Sequence, residues 1–112
     1  MPREAAHAST WLRSRVPGST RVATTLDRGL QRMAETRLRE AHREARLLGV
    51  HNGSAVLLDL DSGAVRALVG IPDFWDDQHG GQIAVFDVAR SPGSALKRFL
   101  FALAVDRGLI LP

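Results

Sequence analysis

Cysteine is absent from the 112 residues, which excludes disulfides and thiolate metal sites and leaves the redox compartment open. No apolar run approaches the roughly 20 residues that a membrane-spanning helix needs. The opening Met1-Pro2-Arg3-Glu4 does not lead into the apolar centre of a signal peptide, so no targeting signal is expected within the chain. No internal repeat is present. The histidines His7, His42, His51 and His79 lack metal-motif spacing, and His42-Arg43-Glu44 has no second histidine where a zinc helix requires one. Surface or linker positions are expected for them. Asp59-Leu60-Asp61 lacks the later glycine and glutamate of a calcium loop and reads as a turn. His79-Gly80-Gly81-Gln82 is glycine-rich without the order that cradles phosphate, which fits a flexible loop.

Lysine is nearly absent too, and that scarcity is informative. Lys97 stands alone beside fourteen arginines, in the run Ser91-Pro92-Gly93-Ser94-Ala95-Leu96-Lys97. Arginine stays protonated in proteins, whereas a desolvated lysine can give up its proton and serve as a base. If Pro92-Gly93 opens a helix, Ser94 and Lys97 lie one turn apart on one face, so hydroxyl and amine can meet. The positive end of the helix dipole disfavours a second positive charge there, and a neutral amine can take the serine's proton. Alone, Ser-x-x-Lys also fits a cap followed by a solvated lysine. The following Arg98-Phe99-Leu100-Phe101-Ala102-Leu103-Ala104-Val105 is apolar nearly all round and runs to Gly108, which predicts a helix buried inside a fold. A serine and an amine on the first turn of such a helix are not surface decoration, because an unpaired buried amine is costly.

Composition permits one small globular domain, with 45% hydrophobic and 24% charged residues. Charge is unevenly placed. Residues 1–56 carry ten arginines against five acids, and residues 57–112 carry five basic against seven acidic groups. Between Leu26 and Leu48, Arg28, Arg32, Arg39, Arg43 and Arg46 share one helical face, while Glu35, Glu40 and Glu44 are interleaved. The balance favours a solvated face over a nucleic-acid footprint. Thr25 is a plausible N-cap, and Leu26, Leu30, Met33, Ala34, Leu38, Ala41, Ala45 and Leu48 form an apolar stripe that ends before Gly49. Strands are expected at about 54–60 and 64–70, joined by a tight turn at Asp61-Ser62-Gly63. Residues 71–93 read as loop with a short strand near Ile83 to Phe86, and a helix from Ser94 to Arg107 follows. The first 22 residues show no sustained periodicity and read as a linker or severed connection, with residues 23–112 as the domain piece.

Ser-Pro-Gly-Ser-x-Leu-Lys, the aromatic-rich helix and Leu109-Ile110-Leu111-Pro112 together resemble the active-site serine motif of class A penicillin-binding protein transpeptidase domains, for which Ser-x-x-Lys is a recognised mark. Upstream segments match in the family's order. Thr24-Thr25-Leu26-Asp27 with Leu30-Gln31 looks like the opening of that domain. Asn52, Ala55-Val56-Leu57-Leu58-Asp59, Ser62-Gly63-Ala64-Val65 and Ala67-Leu68-Val69-Gly70 look like its first hairpin. Asp73-Phe74-Trp75-Asp76 and Gly81-Gln82 look like the approach to the serine, and His7 echoes a histidine just before the domain.

The resemblance implies an α+β class, as part of a β-lactamase-like fold: a long N-terminal helix, a β-hairpin, a loop, and a buried helix carrying Ser-x-x-Lys. It implies that Ser94 is the acylated nucleophile and Lys97 its proton-transfer partner, with no metal or organic cofactor. Peptidoglycan stem peptides and β-lactams would be the ligands of the complete enzyme, and the rest of the transpeptidase domain the structural partner. The complete protein would sit at the periplasmic face of the inner membrane through an anchor outside this chain, and no nucleic acid is expected. The family's Ser-x-Asn and Lys-Thr-Gly elements are not found here, so this polypeptide alone is expected to be catalytically silent. Arg98 stands where the family usually has proline, and Ile71 and Ala84 stand where it is usually polar. A serine β-lactamase or penicillin-sensor fragment shares the motif. A non-enzymatic, arginine-rich anion-binding or partner-binding fragment is the reading from a different class.

Overall fold

The computed structural model describes residues 4–110. Met1 to Arg3 at the start, and the Leu111 and Pro112 that close the family motif, lie outside the described residues. Among the described residues three helices and one hairpin make up the regular structure: α1 (Ala6–Arg15), α2 (Arg28–Arg46), β1 (Ala55–Leu58), β2 (Val65–Val69) and α3 (Lys97–Asp106), with short 3-10 turns at Asp77–His79, Val85–Asp87 and Gly93–Leu96. Helices beside a small antiparallel sheet agree with the α+β class.

Helix α2 starts two residues later than its apolar stripe predicts. Asp27, not Thr25, is the N-cap, its carboxylate accepting the Leu30 N–H at 2.8 Å. Thr25 instead donates its hydroxyl to the Val65 carbonyl at 2.7 Å. Arg43 and Arg46 occupy the last turn, where the dipole favours cations. Gly49, at φ 77°, then reverses the chain while the N–H of Val50 reaches back to Ala45, a turn that a left-handed glycine makes without steric penalty.

β1 and β2 pair antiparallel, with Ala55 opposite Val69 and Leu57 opposite Ala67, and a bulge falls between Leu57 and Leu58. The turn follows the expected chemistry. Asp59 accepts hydrogen bonds from the Ser62 N–H at 2.9 Å and hydroxyl at 2.6 Å, and Gly63 takes φ 67°. A two-stranded ribbon is marginal by itself, and α2 supplies its second layer. Ala34, Ala67 and Val69 are buried between them, with Leu38, Ala55 and Leu57 packed around. Small residues on both sides let helix and sheet approach closely.

Among the described residues no third strand covers the outer edge of β2, so its polar groups need other partners. The chain from Thr25 to Gln31 supplies them. The Asp27 N–H donates to the Arg66 carbonyl at 2.8 Å. The side-chain amide of Gln31 donates to the Leu68 carbonyl at 3.2 Å and accepts the Leu68 N–H at 2.8 Å. Gln31, 4% exposed, thus behaves as one residue of a missing strand.

The segment read as a linker contains a docked helix. His7 and Ala8 of α1 are buried and α1 packs on β2. The helix is short and weakly amphipathic, which is why periodicity does not reveal it. Its contacts are specific instead. His7 Nε2 lies 2.7 Å from the Gly81 carbonyl and the ring meets Phe74 edge-on at 4.9 Å. Trp11 meets Phe86 edge-on at 6.0 Å, and Arg15 pairs with Asp87 at 3.1 Å. α1 therefore clamps residues 71–88 against the hairpin. Within that loop the short strand expected near residues 83–86 is a 3-10 turn, because its backbone bonds locally, Asp87 N–H to Ala84 O at 2.8 Å.

The largest departure is α3, which is exposed rather than buried. Phe99 is 74% exposed, and Leu96, Leu100, Phe101 and Leu103 are exposed as well. Its substantial contact is with the 3-10 turn before it. The radius of gyration is 17.4 Å, against about 13 Å for a compact chain of this length. The apolar character of α3 was read correctly, but the layers that would cover it are not among the described residues.

Candidate active site

Ser94 and Lys97 sit where a 3-10 turn hands over to an α-helix. Pro92 is already helical at φ −67°, ψ −14°, as its ring favours at a helix start. Gly93 follows at φ 50°, a conformation that side chains resist. The turn covers Gly93–Leu96, and the Lys97 N–H donates to the Ser94 carbonyl. The two residues are therefore one turn apart on consecutive helical structure, as their spacing predicts. The Ser94 N–H belongs to the first turn, whose N–H groups have no intrahelical acceptor. Both side chains are exposed, and among the described residues no hydrogen bond joins them.

Beside Lys97 runs an apolar groove of about 420 Å³, lined by Gly93, Leu96, Lys97, Phe99, Leu100 and Leu103. Hydroxyl, amine and groove are thus presented together on one open helix. What this arrangement contains is a hydroxyl, an amine one helical turn further on and a first-turn backbone N–H. What it lacks, among the described residues, is an opposing wall to exclude water and hold a substrate.

The histidines are more structural than the sequence reading allowed. His7 is buried under the loop, and His42 lies 2.8 Å from the His51 carbonyl. His51 stacks on His79 at 4.1 Å between centroids, and His79 Nδ1 lies 2.8 Å from Asp76. The hydrogen bond from His79 holds the Asp76 carboxyl below the usual carboxylate range. The Asp59 carboxyl is likewise lowered, chiefly by the Ser62 hydroxyl. Among the described residues no group of three potential ligands is arranged for a metal.

Three positions matter more than their residue types announce. Gly81 lies so close to the Asp73 carbonyl that a Cβ would overlap it, and a Cβ on Gly70 would overlap the His7 ring. Gln31 interrupts a stripe of apolar positions one turn before Ala34, and that interruption was the available sign of an edge-satisfying amide. The arginine face divides. Arg28 and Arg32 both pair with Glu4, as a solvated face does, while Arg37, on the other side of α2, pairs with Glu40 at 3.1 Å. The Glu4 carboxyl is held low, first by its hydrogen bond from Arg28.

The chain is similar to penicillin-binding protein 1C of Escherichia coli (strain K12), with 38% identity over 94 residues, which is 84% of this chain and 12% of that protein. The match therefore spans about one eighth of the relative's length. No protein-family model matches the chain, and no solved structure matches it.

Proposed function

We propose that this chain, which is related to penicillin-binding protein 1C, forms the N-terminal piece of a peptidoglycan D,D-transpeptidase domain and supplies its nucleophile. In this reading Lys97 Nζ takes the proton of Ser94 Oγ as the oxygen attacks the carbonyl of a terminal D-alanyl-D-alanine. The Ser94 N–H is one donor to the developing oxyanion. The proton passes to the departing D-alanine amine, leaving an acyl-enzyme on Ser94. An amine of a neighbouring stem peptide then attacks the ester and returns the serine oxygen its proton. A β-lactam acylates the same oxygen, and its ring-opened product stays attached.

The observation that carries the reading is the kinship to a penicillin-binding protein in a chain whose single lysine stands one helical turn from Ser94. The exposed groove beside Lys97 supports it, because a helix with Phe99, Leu100 and Leu103 outward needs further layers to cover it. Those layers would supply the second wall and the second oxyanion donor. The same reading places the complete protein at the membrane surface facing the peptidoglycan, although no described helix here is long and apolar enough to cross a membrane. Fluorescent penicillin offered to the chain extended through the remaining transpeptidase segments tests it. Covalent labelling that vanishes in Ser94→Ala and slows by about a hundredfold or more in Lys97→Gln is expected. Absence of labelling in a folded extended protein would remove the catalytic assignment.

A further inference from the structure

A second cavity lies away from the serine helix, and the arginines that line it have no role in the proposed chemistry. Its volume is about 670 Å³, within the range of small-molecule sites. One wall is the C-terminal half of α2, contributing Arg39, Arg43 and Arg46. The segment after β2 contributes Phe74 and Trp75, and the start of α1 contributes Ala6 and His7. No residue of α3 lines it.

The three guanidinium groups recur at spacings of four and three, so they share one face of the helix. Unlike Arg28, Arg32 and Arg37, none of them has a carboxylate at ion-pairing distance among the described residues. Two acids share the lining and set negative charge against the three guanidiniums, and Asp76, whose carboxyl is lowered first by His79 and also by Arg46, lies nearby. Glu35 Oε1 accepts the Ala5 N–H and the Gln31 amide, at 2.9 and 2.8 Å, and Asp73 accepts the Trp75 N–H at 3.0 Å. Phe74 and Trp75 meet edge-to-face at 5.2 Å, and Trp75 is 68% exposed. A largely exposed indole lining the same cavity as guanidiniums that no described carboxylate meets at ion-pairing distance combines an apolar platform with donors for anions.

We propose that this cavity binds a small polyanion, a ligand bearing two or more carboxylate or phosphate groups on a flat or apolar body. The anionic groups meet Arg39, Arg43 and Arg46, which present planar forks suited to both group types. The body lies on Trp75. Calorimetric titration of the full chain with benzene-1,3,5-tricarboxylate, citrate and tripolyphosphate tests this at fixed ionic strength. The aromatic tricarboxylate should bind with a Kd below about 1 mM and more tightly than citrate. Arg39→Gln and Arg43→Gln should each weaken it by roughly tenfold, whereas Arg37→Gln, on a residue already paired with Glu40, should not. Trp75→Ala should abolish the advantage over citrate. Tighter binding of the tricarboxylate identifies a carboxylate ligand, and tighter binding of tripolyphosphate a phosphate one. No binding by the folded chain, or an equal loss in Arg37→Gln, would overturn the site. Penicillin labelling reads none of these residues, so the two proposals fail independently.

Discussion

Replacing Gln31 by leucine should destabilise the α2–hairpin unit more than any exposed substitution on α2. The side chain is 4% exposed and makes three hydrogen bonds, to Glu35, to the Leu68 carbonyl and from the Leu68 N–H. Leucine keeps most of the volume and removes all three. A neutral hydrogen bond contributes about 0.5–1.5 kcal/mol net, and a buried group left without a partner costs about 1–3 kcal/mol. Leu68 is half-buried, so water can partly replace the lost amide, and a total of about 2–3 kcal/mol follows from the lower part of those ranges. Gln31→Glu should be worse at neutral pH. It removes the donor to Leu68 and sets a second carboxylate against Glu35, and acidification should restore part of the loss. Urea unfolding followed by helical circular dichroism reads both variants. A Gln31→Leu protein within about 0.5 kcal/mol of the parent, the usual range for surface changes, would refute the claim that this amide substitutes for a strand.

Gly81→Ala should cost about 1–3 kcal/mol in the same assay, because backbone on the facing loop cannot move aside easily, and Gly70→Ala should release α1 by displacing the His7 ring. In the pH dependence, the Asp76 and Glu4 carboxyls are held below their ordinary values, first by hydrogen bonds from His79 and Arg28. Their contribution is therefore complete above the unfolded values near pH 4 and is lost as pH falls through the lower folded ones. The melting temperature should drop in that acid window, and the drop should shrink in a Glu4→Gln, Asp76→Asn double variant. Amide hydrogen exchange should be fast across residues 93–107 of this chain. A ten-residue helix without tertiary support lies below the roughly 12–15 residues that isolated helices need. The same amides should become protected in the longer protein, and strong protection in the short chain would contradict the account of α3.

Local signals were legible and long-range ones were not. The hairpin, its Asp59–Ser62 turn, the length of α2 and the helix following Ser94 could be read because alternation, turn residues and glycine stops act within a few positions. The N-cap shifted from Thr25 to Asp27 because Thr25 finds the Val65 carbonyl forty residues away, a partner no local pattern reveals. Helix α1 was missed for the same reason. It is held by His7, Trp11 and Arg15 through contacts more than seventy residues distant, not by an apolar stripe. The composition of α3 did report a helix that needs burial, but composition does not say which layer covers it. Ser94 and Lys97 stand out as candidates because a single amine in an arginine-rich chain is conspicuous. Arg39, Arg43 and Arg46 stand out in the sequence as part of one arginine face, but the cavity they line with Phe74 and Trp75 and the edge that Gln31 satisfies depend on segments distant in the chain.

The central claim is that Ser94 Oγ is a nucleophile activated by Lys97. Its most direct measurement is mass spectrometry of the extended transpeptidase after exposure to penicillin and proteolysis. One penicilloyl group should appear on the peptide containing Ser94 and on no other, and it should be missing from the Ser94→Ala protein. An adduct on Ser91 or another residue, or an unmodified Ser94 in a protein that otherwise folds, would contradict the account.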